Sequence, residues 1–357
     1  MKQKVLILAI LIMAITPGVF AYDFSAVAPS GQTLYYNIVD GNARVTFPGT
    51  DIYSTWTGFT KPTGNLIIPN NVYYGGHIYT VTSVNSNTFK NCSDITSVTI
   101  PSTITSIAYN SFSGCSGITS VNYNAIDCTI SSNNTIISPF NNCPNLSIVN
   151  FGDSVNYIPP WLLYNCDAIS SIVIPNNTIS IGYGAFSDCS ALTSVTIGNS
   201  VTTIMPTAFQ NCSALTSLTI GSSVTTIYSN AFDGCSSLSS IFMRCYPPSI
   251  LSNTFSGFPV NITITVPCGA LTSYQNAQYW SNFTHFVEGC ATISVTANDF
   301  TLGGVTGGGE YTSGDTVTLT AIPYFGSRFI GWSNGSQENP LTFVATTSQN
   351  FVAAFGV

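Results

Sequence analysis

Between residues 89 and 243 the apolar positions return at a fixed interval. Residues 188–204 read DCSALTSVTIGNSVTTI and residues 211–227 read NCSALTSLTIGSSVTTI, one phrase displaced by 23 residues. Aligned on cysteine, the copies centre on Cys92, Cys115, Cys143, Cys166, Cys189, Cys212 and Cys235. The single interval of 28 holds an insertion around AIDCTISSNN, residues 125–134. Three residues before each cysteine stand Phe89, Phe112, Phe140, Leu163, Phe186, Phe209 and Phe232. Three after it stand Ile95, Ile118, Leu146, Ile169, Leu192, Leu215 and Leu238. Val98, Val121, Val149, Ile172, Val195, Leu218 and Ile241 follow at six, and a further apolar column at eight.

A period in the twenties belongs to a solenoid, whose unit cannot bury its apolar face alone and does so by stacking. The end of L-T-S-V-T-I alternates as a half-buried strand does. The copies are therefore expected to pair into a parallel sheet that advances about 4.8 Å per coil, roughly 30 Å for the seven. Pro101, Gly152, Pro175, Gly198 and Gly221, nine residues after their cysteines, should end the strands at turns. Cysteine suits an inward corner that needs a small, mostly apolar side chain. A reduced, buried ladder is the favoured reading. Bridges between neighbouring coils, which export permits, are the alternative.

Export is suggested by residues 1–21. Lys2 and Lys4, an apolar run over 5–15 and the small-residue signal Val19-Phe20-Ala21 read as a secretory signal peptide. No other apolar run approaches the length of a bilayer crossing, so no membrane span is expected in the mature chain. Only 7 Lys+Arg face 14 Asp+Glu, for a net charge of −7. That shortage of cations argues against a nucleic-acid partner. Few charges with many β-branched and aromatic residues favour a rigid, sheet-rich chain over a disordered one.

The phrase L-T-S-V-T-I, preceded by A-F-x-x-C and followed by S-V-T-T-I, resembles the BspA-like leucine-rich repeat family of bacterial surface proteins, from Val81 to about Met243. Two copies depart from it: SPFNNC lacks the alanine, and PPWLLYNC has Leu162-Leu163 for A-F. The resemblance implies a β-rich solenoid, a leucine-rich-repeat right-handed coil with a parallel sheet. Residues 81–290 would hold the coils and a short helical cap within PCGALTSYQNAQYWSNFTHFVEGC. Residues 22–80 look like the segment that precedes such repeats, a β-rich N-terminal cap over an edge that would otherwise invite aggregation. Cys268 and Cys290 flank the helical cap and are expected to form a disulfide that staples it. Cys128 and Cys245 receive no assignment.

From residue 291 the register changes. The stretch beginning GGGEYTSGDTVTLTAIP is similar to the internalin B-type repeat, a small β module, with Gly309, Tyr311, Gly314, Val317, Leu319, Pro323, Gly331 and Trp332 as landmarks over 291–357. Phe329, Trp332 and Phe343 are expected in its core. Gly303-Gly304 and Gly307-Gly308-Gly309 are expected to form a flexible link into it.

No catalytic constellation is visible, and the chain is not expected to be an enzyme. His77 and His285 have no carboxylate or cysteine at ligand spacing. The cysteines form no C-x-x-C pair, so no metal or cofactor is expected. The glycines are not followed by G-K-[ST], and Asp188 and Asp233 read as turn residues rather than general acids. Sequons at Asn91, Asn133, Asn145, Asn176, Asn211, Asn261, Asn282 and Asn334 arise readily in so Asn-, Ser- and Thr-rich a chain.

The outward strand positions say more. Ser97, Ser120, Ile148, Ser171, Ser194, Ser217 and Ser240 form one column. Thr99, Asn122, Asn150, Val173, Thr196, Thr219 and Phe242 form the other. Phe242, Arg244 and Tyr246 would add an aromatic and cationic edge of the kind enriched at interaction hot spots. A solvated sheet tolerates Ser and Thr without any function; the sharper reading is a flat docking face for an extended partner. The BspA-like resemblance implies adhesion to a protein or cell-surface ligand, host extracellular matrix or other cells, by a secreted or cell-surface protein. A glycan-binding module using the aromatics of 53–59 and 73–79, and a self-associating surface-layer component, are the other classes.

Overall fold

The computed structural model describes residues 21–50, 55–131, 138–257 and 261–357. The leader, Tyr53 and Asn133 of the sequence reading lie outside the described residues.

The repeat folds as a β-rich leucine-rich-repeat solenoid with parallel pairing from coil to coil. Strands Gly64–Ile67, Ile95–Ile100, Ser120–Tyr123 and Ile148–Phe151 form one run. Ser171–Val173, Ser194–Thr196, Ser217–Ile220, Ser240–Met243, Thr263–Val266 and Phe286–Glu288 form a second. Ile241 pairs with Ile264, so the 23-residue register continues into a coil that has no ladder cysteine. Upstream, Leu66 pairs with Val98, and the segment read as a cap supplies the first strand of this face.

Each coil also contributes a short strand to an opposite wall, which the repeat pattern had not suggested. Tyr157–Ile158, Ser180–Ile181, Thr203–Ile204 and Thr226–Ile227 pair in parallel. His77–Val84, Ser106–Ala108 and Thr129–Ser131 do the same nearer the N-terminus. The signal was present in the chain: fifteen residues after successive cysteines stand Ile107, Ile130, Ile158, Ile181, Ile204, Ile227 and Ile250. Isoleucine favours the extended backbone and fills the space between the walls. The antiparallel meander Phe24–Val27, Thr33–Val39 and Asn42–Thr46 joins this wall through Asn42–Thr46 and His77–Val84.

The interior is one continuous apolar cluster from Phe24 to Trp280. Within it the phenylalanines stack coil on coil. Ring centroids lie 5.1 Å apart for Phe89 and Phe112, 4.9 Å for Phe186 and Phe209, and 5.3 Å for both Phe209–Phe232 and Phe232–Phe255. Trp56 closes the stack at one end against Phe89, and Trp280 meets Phe255 at the other. Both indole N–H groups donate to main-chain carbonyls, of Thr88 and Pro248, each at 2.8 Å. Burying these rings is favourable only because their polar ends are satisfied. Trp280 belongs to the helical cap, which consists of Leu271–Asn276 and the short turn Trp280–Asn282.

The tight corner before each cysteine has a left-handed backbone. Asn91, Asn142, Asn165, Asp188 and Asn211 adopt φ between +57° and +61°, and Gly114 and Gly234 take +72° and +73°. Asn, Asp and Gly visit this region at least cost, which accounts for their recurrence there.

The tail has its own core around Val317, Leu319, Trp332, Phe351 and Phe355. Two small sheets build it: Gly309–Thr312, Cys290–Ala297, Gln349–Gly356 and Arg328–Trp332 in one, Gly303–Thr306, Thr316–Pro323 and Leu341–Val344 in the other. Trp332 is buried, while Phe329 and Phe343 are only half-buried against that core. The glycine run is not a link, because Gly303–Thr306 and Gly309–Thr312 are strands of the module itself. A Cβ on Gly303 would lie 2.5 Å from the Phe355 ring, and one on Gly308 2.8 Å from Val295. Close packing, not flexibility, calls for glycine there. Cys268 and Cys290 are joined by a disulfide with Cα atoms 5.0 Å apart, tying the last coil to the tail's first strand.

Candidate functional site

The two outward columns stand in strict register on the strand face. Ser97 pairs with Ser120, and Thr99 with Asn122. Ser171, Ser194, Ser217, Ser240 and Thr263 follow one another, as do Val173, Thr196, Thr219, Phe242 and Thr265. All are exposed or half-buried. Some partner one another across coils: Ser97 Oγ donates to Asn65 Oδ1 at 2.9 Å, and Asn150 Nδ2 to Asn122 Oδ1 at 3.0 Å. Asn65, Thr263 and Thr265 extend the columns beyond the residues the repeat identified. Their coils have no cysteine to align on, but Thr263 lies one period beyond Ser240.

The face is interrupted. The strand Ile148–Phe151 ends one sheet, and Ser171–Val173 begins the other. Two outward residues at this step are apolar: Ile148 is 53% exposed and Val173 is 64% exposed. The coil between them is the irregular one, with Leu163 in place of the stacked phenylalanine.

The neighbouring hydroxyl column serves the fold. Thr193, Thr216 and Ser239 donate to the carbonyls of Ser170, Thr193 and Thr216 at 2.9, 3.0 and 3.0 Å. Thr202 and Thr225 repeat this on the opposite wall. Much of the Ser and Thr content therefore zips one coil to the next, and only the outermost columns stay available to a ligand.

Arg244 is not part of a free edge. Its guanidinium donates to the Gly314 carbonyl at 3.3 Å and lies 5.5 Å from the Phe242 ring centroid. Gly314, left-handed at φ +94°, has no room for a Cβ beside it. Arg244, read as part of a binding edge, thus faces the tail module. The sequence could not show this, because residues 244 and 314 are brought together only by the docking of the tail. Tyr246 is 66% exposed.

The ladder cysteines are free and buried, and so are Cys128 and Cys245. Burial pushes the thiols of Cys92, Cys143 and Cys189 up to about 12, and those of Cys128 and Cys245 to about 11. A protonated, inaccessible thiol is neither a nucleophile nor a metal ligand. Among the described residues no group of three His, Cys, Asp or Glu side chains could hold a metal ion. His77 and His285 are exposed. Asp188 Oδ1 accepts from Asn211 Nδ2 at 2.7 Å, and Asp233 Oδ2 from Gln210 Nε2 at 2.9 Å, which fixes both carboxylates in a coil-to-coil ladder.

The aromatics of 53–59 and 73–79 are divided. Trp56 is core, Phe59 and Tyr79 pack against the core, and Tyr74 stacks on Phe24 at 4.4 Å. Tyr73 and Tyr74 remain 65% and 44% exposed. No helix among the described residues is long and apolar enough to cross a membrane.

A family model described as the BspA type leucine rich repeat region matches, in 6 copies, residues 77–169 and 162–284. A second, described as a divergent InlB B-repeat domain, matches residues 293–356. No curated protein matches. Among solved structures, a leucine-rich repeat protein of T. pallidum is 21% identical, covering 61% of this chain and 82% of that one at a TM-score of 0.40. A leucine-rich cell surface protein from Faecalibacterium prausnitzii is 20% identical over 74% of this chain and 95% of its own, at 0.26. The pneumococcal vaccine antigen PcpA is 14% identical over 72% and 96%, at 0.26.

Proposed function

This chain belongs to the BspA-type leucine-rich repeat family, and from that premise we propose that it acts outside the cell as a secreted or surface-held recognition protein. Its ligand is a protein of the host matrix or of another cell, docked along the strand face, and it performs no catalysis. The observation that carries this reading is the register of the outward columns. Ser194, Ser217 and Ser240 beside Thr196 and Thr219 present small, uncharged donors and acceptors at the strand repeat, with Ile148 and Val173 as the apolar step among them. An extended segment laid across such a strip meets similar groups at each coil and little competing charge.

Ile148 and Val173 supply exposed apolar contact area on this strip, whereas the Arg244 guanidinium is already engaged by the Gly314 carbonyl. The test is binding of the protein to immobilised fibronectin, laminin and collagen and to whole epithelial cells. Replacing Ser194, Thr196, Ser217 and Thr219 together by lysine should cut binding at least tenfold at an unchanged melting temperature. Full binding by the folded variant would reject the strand face.

A further inference from the structure

Three of the four tryptophans are interior: Trp56 and Trp280 end the phenylalanine stack, and Trp332 fills the tail core. Trp161 is different. It is half-buried on the coil surface, away from the strand face, in a turn with φ +59°. Equivalent corners elsewhere are held by Asn87, Asn110, Gly184, Thr207 and Asn230. Three of these are asparagine and one glycine, the residues that enter the left-handed region most readily; a bulky aromatic there is strained. Such outliers concentrate where a side chain is held for use.

The surroundings are arranged around the indole. One coil on, Gly184 gives it room, since a Cβ at that position would fall 2.0 Å from the indole Cζ3. Tyr183, 42% exposed, lies 5.0 Å away between ring centroids and is tilted by 56°. Tyr164 stands edge-on at 5.5 Å and 89°. The Tyr164 hydroxyl lies against the Asp188 carboxylate, which also accepts from Asn211 Nδ2 at 2.7 Å and from Ser187 Oγ at 3.1 Å. A half-exposed aromatic floor, an aromatic wall and a rim of oriented carboxylate and amide groups are thus gathered at one corner of the irregular coil.

We propose that Trp161, Tyr183 and Tyr164, with Asp188 and Asn211 at the rim, form a binding subsite for a neutral saccharide. A pyranose has an apolar C–H face that lies flat on an aromatic ring and hydroxyls around its edge that need planar, fixed hydrogen-bonding partners. A proline-rich peptide needs a slot between spaced rings, whereas Tyr164 stands edge-on to Trp161 at 5.5 Å and Tyr183 lies tilted at 5.0 Å, which leaves none. The Asp188 carboxylate disfavours acidic sugars. The subsite is separate from the strand face and does not depend on its having a ligand.

Because Trp161 is the tryptophan that is not buried, it should dominate quenching of the native protein's emission by acrylamide. The full chain is titrated with cellohexaose, xylohexaose, mannohexaose and chitohexaose while tryptophan emission is read, and retention is measured in gels containing the matching polysaccharides. At least one sugar should give a saturable emission change and protect against acrylamide. Trp161→Asn installs the residue that other coils use at this corner, so it should fold and lose at least tenfold in retention. Tyr183→Ala, a change at an exposed ring, should weaken retention severalfold and decides the matter if Trp161→Asn melts early. The lysine variants of the strand face should bind the sugar as before. Absence of binding to all four sugars, undiminished retention by both variants, or Trp161-dependent binding of decaproline in place of sugar would each overturn the proposal.

Discussion

The Sγ–H of Cys212 donates to the main-chain carbonyl of Phe186 at 3.3 Å, one coil back. That carbonyl already receives the N–H of Cys189, at 3.4 Å. The same reach joins Cys115 to Phe89 at 2.9 Å, Cys189 to Leu163 at 3.2 Å and Cys235 to Phe209 at 3.3 Å. The cysteine is therefore more than a small filler: it gives a buried carbonyl a second partner and locks the spacing of the coils. Cys166 departs from this pattern, its sulfur lying 4.0 Å from the carbonyl of Tyr164 within its own coil.

Cys212→Ala removes both the sulfur's packing and this bond. A loss of about 1–3 kcal/mol is expected, measured as a lower urea midpoint. A neutral outcome would show that neither the sulfur's packing nor its bond to Phe186 stabilises the coil.

Alkali should unfold the protein through its thiols. In the native state burial raises Cys92, Cys143 and Cys189 to about 12 and Cys128 and Cys245 to about 11. Unfolded thiols ionise at about 8.5. Above that pH the unfolded chain gives up protons that the folded chain retains, so stability falls as pH rises. The contribution is intact below about pH 8.5 and is lost toward 11–12, by about 1.4 kcal/mol per pH unit per thiol. Melting temperature followed from pH 7 to 11 should drop with that slope, and iodoacetamide at pH 8 should leave these cysteines unlabelled until urea is added.

Gly221→Ala should be far costlier than its exposed neighbour Ser222→Ala. A Cβ on Gly221 would sit 2.1 Å from the Gly198 carbonyl oxygen, and one on Gly198 equally close to that of Pro175. Backbone cannot yield there without parting two coils, so a penalty of about 2 kcal/mol or more is expected. Ser222→Ala should stay within about 0.5 kcal/mol. Equal melting temperatures for the two variants would contradict the stacking distance.

Arg244→Ala should loosen the tail without unfolding the solenoid. Loss of the bond to Gly314 leaves the disulfide, the Cys268 N–H to Thr312 Oγ1 bond at 3.3 Å and the Ser313 N–H to Gly289 carbonyl contact, 2.8 Å, at the junction. Amide exchange at Ser313 should rise about fivefold, the effect of roughly 1 kcal/mol. Unchanged exchange would mean that the cation is idle.

Most of the fold is readable in the chain because a coil's inward positions are set by nearest neighbours. A 23-residue period with Phe, Cys, Leu, Val and Ile at constant offsets can bury its apolar face only by stacking, and each in-register column then follows. Asn, Asp or Gly before each cysteine likewise records a local left-handed turn. The isoleucine column of the second wall is equally local, but two-residue strands alternate too briefly to mark themselves as strands in the sequence.

What the tertiary structure alone decided lies where contacts cross between units that share no sequence pattern. Arg244 looks like a free cation in the primary structure and is spoken for by Gly314, seventy residues away. Gly303 and Gly308 read as slack and are packed against Phe355 and Val295. Trp161 reads as an imperfect repeat residue, and only the stacking of Gly184 beside it, with Tyr183 and Tyr164 around it, turns an irregular coil into an aromatic corner. Periodicity prescribes what one coil needs from the next; side chains that reach outside that repeating contact acquire their meaning from geometry.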